Sequence, residues 1–219
     1  MPPETKLIAF DTSAAHCAAA LLLGERVVTR VDDMAKGQAE HLLPMVEEML
    51  AAEGLVWRDL DGIGVGTGPG NFTGIRISVS AARGLALGLG KPAAGVSLLE
   101  AQAFGLDGIV VSCLDARRDM VYVQVFGGGE GTPPALCALN QDEMPLLPAR
   151  AEPRVVGPLA ERIGALTGWQ PVKSTGPDIA AIARIAARRL HSVTTRPTPL
   201  YIRTADAAPA RDAAPVILP

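Results

Sequence analysis

Apolar and polar positions alternate along the chain in two distinct rhythms. Residues 6–10 form a short apolar run that reads as a buried strand. Residues 17–23 read as a second strand, Gly24-Glu25 as a tight turn, and residues 26–32 as a third. From about 38 to 53 the rhythm becomes helical, closed by Gly54. Within it Leu42, Met45, Val46, Met49 and Leu50 follow the i, i+3, i+4, i+7, i+8 stripe of a buried face. Leu43 widens that stripe, and Pro44, which has no amide hydrogen, is expected to start or kink the regular helix. Residues 62–67 read as a strand, GTGPGNFTG as a glycine-rich loop and residues 74–88 as a helix. A short strand follows Pro92, then a helix over about 98–104.

The second half opens with strands at 109–114 and 121–126, joined by DARRD, and continues into the loop GGGEGTPP. Val155-Val156 suits a short strand and residues 179–190 a helix. The Ala/Pro-rich end, ADAAPARDAAPVILP, suits a poorly ordered tail. This order predicts an α/β protein with mixed sheets, in two units: residues 1–106 and a smaller unit from 107, its tail beginning near 205. No sequence repeat of about 20–50 residues is visible.

Composition narrows the function classes. The 219 residues are enough for a large buried core. A formal net charge of −3 argues against a chain held on nucleic acid by its overall field. Cys17, Cys113 and Cys137 lie far apart, which fits neither a disulfide framework nor a zinc site and points to the cytosol. The opening MPPETKLIAFDTS lacks the form of a secretory signal. The stretch 72–90 carries Arg76 and Arg83 and does not suit a membrane span.

Candidate chemistry is sparse. Asp11-Thr12-Ser13 ends the first strand at a turn, where a carboxylate and two hydroxyls suit a metal-bound water and a phosphate, or simply satisfy nearby amides. The loop GVGTGPGNFTG accepts glycines that cost about 0.5–1 kcal/mol each in regular structure, so it is shaped for close approach by phosphate or by another backbone. It completes neither the dinucleotide fingerprint nor the P-loop. His16, His41 and His191 are too scattered for a ligand set.

The helix at 74–88 carries two rows of small residues. Gly74, Ser78, Ala82 and Ala86 form one, and Ser80, Gly84 and Gly88 the other, with Ile75, Val79 and Leu85 as apolar bulk. Packing on the chain's own sheet requires one row; the second leaves room for a helix of another chain. Between 179 and 205 lie Arg184, Arg188, Arg189, Arg196 and Arg203 with no acid, which suits a solvated face or contact with nucleic-acid phosphates.

Several of these segments together resemble the TsaB (YeaZ) family. They are LIAFDTSAAHCAAALL, EHLLPMVEEML, GVGTGPGNFTGIRISVSAARGLALGLGKPAAGVSLLEAQAF and LDARRDMVYVQVF, with PLYIR a weaker echo near the C-terminus. The resemblance is close over about the first 126 residues and looser beyond. It implies an actin-like ATPase fold of two ribonuclease-H-like lobes and a role in making tRNA threonylcarbamoyladenosine beside the paralogous transferase TsaD. TsaD-type proteins carry a His-x-x-x-His metal site in a GVHHMEGH-like run; here GVSLLEAQ puts Leu98 and Gln102 at those positions, so no metal and no catalytic residue is expected.

The resemblance further implies that the two N-terminal helices bind TsaD, with His41, Leu42, Met45, Met49, Ile75, Ser78, Val79 and Ala82 as the contact residues. The ATPase TsaE is an expected partner, tRNA is met through the complex, and the chain alone is expected to form a homodimer. No cofactor is expected in the chain itself, and nucleotide only at the complex interface. The alternative is a weak ATPase using Asp11, Thr12 and the loop from Gly68 to Gly70. After DARR, many relatives have a glycine and then an acid, where this chain has Asp119 and Met120.

Overall fold

Two five-stranded sheets of identical strand order organise the chain. The computed structural model describes residues 4–127, 131–148, 151–174 and 178–202. In the first sheet β1 (Lys6–Asp11), β2 (His16–Leu23), β3 (Arg26–Asp33), β4 (Gly62–Gly66) and β5 (Ala93–Val96) lie in the order β3-β2-β1-β4-β5. β1, β2 and β3 are antiparallel neighbours, whereas β4 and β5 run parallel to β1. The second sheet holds β6 (Val110–Arg117), β7 (Met120–Phe126), β8 (Ala135–Ala138), β9 (Arg154–Val156) and β10 (Gln170–Val172), in the order β10-β9-β6-β7-β8. Its pairings repeat the first: antiparallel through β6, β7 and β8, parallel through β6, β9 and β10. The architecture is thus duplicated without a matching repeat in the residues.

The helices are α1 (Gln38–Ala52), α2 (Phe72–Leu89), α3 (Leu98–Ala103), α4 (Ala160–Thr167) and α5 (Ile179–Arg189). One face of the first sheet is covered by α1 and α2, whose Leu42, Met45, Leu50 and Ile75 pack with Ile8, Phe10 and Ile63. The opposite face is covered by α5, which reaches back from late in the chain to pack on β1 and β4. That approach depends on glycine in β4. A Cβ at Gly64 would lie 2.8 Å from Ala186 Cβ, and one at Gly62 would overlap the Leu190 side chain. α3 in turn packs on β6 and β7 of the second sheet, so strands divide between the sheets by sequence while helices cross over. α4 closes the second core with Val111, Val123, Val155 and Ile163.

The helix at 38–52 runs through Pro44 without ending. Pro44 removes one backbone hydrogen bond, but it and Glu40, the residue whose carbonyl loses a donor, are both exposed to water. α2 begins two residues before its expected start because Asn71 caps it, Oδ1 accepting Gly74 N–H at 2.9 Å. Among the described residues no helix is long and apolar enough to cross a membrane. The Ala/Pro-rich tail expected from about 205 lies outside the described residues.

Candidate functional site

The turn at the end of β1 and the glycine-rich loop meet at one edge of a cavity of about 1380 Å³ between the lobes. Asp11 is buried there, its Oδ2 accepting Ser13 N–H at 3.0 Å and Ser13 Oγ–H at 2.8 Å. His16 Nε2 stands 3.1 Å from the same oxygen. The hydrogen bond to Asp11 raises the His16 pKa above its ordinary value, outweighing the opposing effect of burial. Asp11 Oδ1 has no hydrogen-bond partner among the described residues.

Of the four residues expected to form a nucleotide-binding remnant, all are brought together, yet their roles are mostly internal. Thr12 is fully buried and its hydroxyl donates to the Gly74 carbonyl at 2.7 Å, fastening α2 to the strand end. Gly70 sits so close to the turn that a Cβ would lie 2.7 Å from Ser13 O, while Asn71 N–H donates to that same carbonyl at 2.7 Å. Gly68, with φ of 95°, accepts Leu98 N–H at 2.8 Å. The loop's glycines therefore admit another backbone.

Leu98 and Gln102 are also occupied. Leu98 is buried among the residues under α5. Gln102, on the same helix, ties α3 to the second sheet. Its amide meets Ser112 Oγ at 3.2 Å and, oriented to donate to Cys113 O and accept from Gly157 N, makes two further bonds of 3.2 Å. Among the described residues no three His, Cys, Asp or Glu side chains are grouped to hold a metal. Cys17 and Cys113 are core residues whose thiols burial pushes up to about 11.

The helix surface requires a correction. Leu42, Met45, Met49, Ile75, Ser78, Val79 and Ala82, expected to contact a partner, are all at most 6% exposed. They face the chain's own first sheet, because the apolar stripe of each helix is the face that the sheet covers. His41 is only partly covered, and its Nε2 lies 2.7 Å from Asp32 Oδ2 within a cluster that includes Arg30 and Glu48. Arg30, first, and then His41 hold the Asp32 carboxyl below its ordinary pKa.

The outward face of α2 carries the second small row instead. Ser80, Gly84 and Gly88 are exposed, and Leu87 beside them is 77% exposed. A Cβ at Gly84 or Gly88 would meet nothing within 4 Å. On α1, Leu43 is likewise exposed and stands apart from the buried stripe that it extends in the sequence pattern.

The arginines of α5 each have a partner within the chain. Arg184 lies 3.9 Å from Glu25, Arg188 stacks over Phe104 at 4.8 Å, and Arg189 pairs with Glu100. An unforeseen cluster joins two distant motifs. Tyr201, from PLYIR, stacks on Phe72, from NFTG, with ring centroids 4.7 Å apart. Arg76 Nε–H donates to the Tyr201 hydroxyl at 2.9 Å, and its guanidinium lies 3.9 Å over Phe72. The only advance signal was that both segments match the same family pattern.

At the tip of the β6–β7 hairpin, Arg117, Arg118 and Asp119 all have positive φ, at 62°, 53° and 53°. Such a conformation costs L-residues roughly 1–2 kcal/mol each. Asp119 thus stands in a backbone state where glycine would carry no strain, and its carboxylate pairs with Arg162 at 2.9 Å.

Two lobes of one topology, with helices exchanged across them and a cleft between, define an actin-like ATPase fold of ribonuclease-H-like lobes. EutJ from Carboxydothermus hydrogenoformans shares this fold alone, at a TM-score of 0.50 and 15% identity over 85% of the chain and 90% of that protein. A crystal structure described as an uncharacterized protein with similarity to peptidase YEAZ from Pseudomonas aeruginosa is nearer. It is 28% identical, with a TM-score of 0.74, covering 91% of this chain and 100% of that one. The TsaD family model, described as tRNA N6-adenosine threonylcarbamoyltransferase, matches residues 32–133. The Escherichia coli tRNA threonylcarbamoyladenosine biosynthesis protein TsaB is 30% identical over 184 residues, 82% of this chain and 78% of that protein. The chain belongs to the TsaB family.

Proposed function

We propose that this chain is a non-catalytic scaffold subunit in the biosynthesis of N6-threonylcarbamoyladenosine at position 37 of tRNA. It binds the transferase TsaD, works with the ATPase TsaE in the cytosol, and meets tRNA through the complex. The observation that carries this reading is the outward face of α2, where Gly84 and Gly88 are open to solvent. Glycine inside a helix is about 1 kcal/mol less favourable than alanine, and nothing among the described residues requires it here. A row of Ser80, Gly84 and Gly88 flanked by exposed Leu87 suits close contact with a helix of another subunit. Without that subunit the same face pairs with a second copy by two-fold symmetry.

The absence of catalysis rests on Leu98 and Gln102. Leu98 offers no donor atom, and the Gln102 amide is committed to Ser112 and its neighbours. The ATPase alternative requires Thr12 to reach a nucleotide, yet its hydroxyl is bound to the Gly74 carbonyl. Any nucleotide therefore belongs at the interface with the transferase rather than in this chain's own cleft.

The deciding experiment is co-purification with TsaD, followed by a tRNA modification assay with and without this chain. The scaffold reading predicts a stable complex and modification that depends on both subunits. Threonylcarbamoyl transfer by the chain alone, or ATP turnover by it that Asp11→Ala removes, would overturn it.

A further inference from the structure

The described residues beyond Val193 have no regular structure, yet three consecutive ones touch both lobes. Leu200 N–H donates to the Thr67 carbonyl, just past β4, at 2.8 Å. Tyr201 follows, stacked on Phe72 and bonded to Arg76 at the start of α2. Ile202 then packs with Ala116 and Tyr122 of the second sheet. Leu200, Tyr201 and Ile202 all line the cavity between the lobes, as do Asp11 and His16.

The chain otherwise crosses between the lobes twice, between β10 and α5 and through α3 and the segment after it, where Gly105 and Gly108 both have φ of 80°. A short connection with two such glycines permits a change in lobe angle. A further tie across the cavity removes that freedom. We propose that residues 197–202 are a latch across the interlobe cavity, fixing the angle between the lobes and limiting access to its Asp11 side. The latch is made of one backbone hydrogen bond, one side-chain hydrogen bond, one aromatic stack and one apolar contact, so it can open without unfolding either core. Tyr201 is 43% exposed, which lets an approaching ligand or partner displace it from outside. This proposal does not depend on the scaffold reading.

Hydrogen exchange of the full chain tests it, comparing wild type with Tyr201→Ala and Tyr201→Phe. Tyr201→Ala should raise exchange about tenfold at Asn71 N–H and in the β6–β7 hairpin while leaving β1 and β2 unchanged. Its radius of gyration in small-angle scattering should increase, and Tyr201→Phe, which keeps the stack, should fall between. Exchange that stays within about twofold of wild type at those amides would overturn the latch. So would a uniform rise across both cores, which would make Tyr201 an ordinary packing residue. If Tyr201→Ala does not fold, Arg76→Gln on the exposed side of α2 applies the same criteria.

Discussion

Gly84→Ala separates the stability of α2 from its use as a docking face. Gly84 lies in the interior of an 18-residue helix, exposed, and a methyl group added there would meet no heavy atom within 4 Å. Alanine is about 0.8–1.0 kcal/mol more favourable than glycine in such a position. With no clash to offset it, the gain should show almost whole in the isolated chain. For a protein of this length it corresponds to a melting-point rise of about 2–4 °C. In the complex the same methyl falls where a partner helix would lie. Overfilling a close helix contact costs about 1–3 kcal/mol, or roughly five- to 150-fold in Kd. The assay is paired: thermal unfolding at low protein concentration, where self-association is negligible, and isothermal titration against TsaD. Higher stability with weaker association is the expected result. No gain in stability would refute the open environment of Gly84, and a gain with unchanged affinity would remove α2 from the docking face.

Leu42→Glu should prevent folding rather than dissociate a complex, because Leu42 is 1% exposed and a lone carboxylate in that core has no partner; circular dichroism decides, and a folded variant would return the residue to the surface. Gln102→Ala should cost about 1–3 kcal/mol in urea unfolding by leaving Ser112 and Gly157 without their partner, and an unchanged midpoint would contradict that network. His16 has a raised pKa in the fold, so its contribution is complete below its ordinary value of 6.5 and is lost as pH rises through the folded value. Wild type should therefore lose stability relative to His16→Asn over that step, and parallel unfolding midpoints across it would exclude the Asp11 pair as the cause.

Periodicity alone placed the first sheet and both of its first-face helices, since Leu42, Met45, Val46, Met49 and Leu50 repeat at helical spacing and the strands are largely apolar runs. The second lobe was only half legible. β8, β10 and α4 are short, at four, three and eight residues, and offer too few positions for a period to register. Local pattern also misjudged direction. It identified a buried face on α1 and α2 correctly, but a stripe does not say whether a sheet or a partner buries it.

What the residues determined by themselves was chemical identity: Leu98 offers no donor atom and Gln102 only an amide, and glycine at 68, 70 and 74 permits close backbone approach. What only the tertiary structure decided was what each group faces. It turned the glycine loop onto Ser13, spent the Thr12 hydroxyl on α2, gave each α5 arginine an internal partner and brought Tyr201 to Phe72 from a distant part of the chain. The physical reason is that periodicity and propensity act over a few residues, whereas burial and hydrogen-bond satisfaction are settled by contacts between segments distant in sequence.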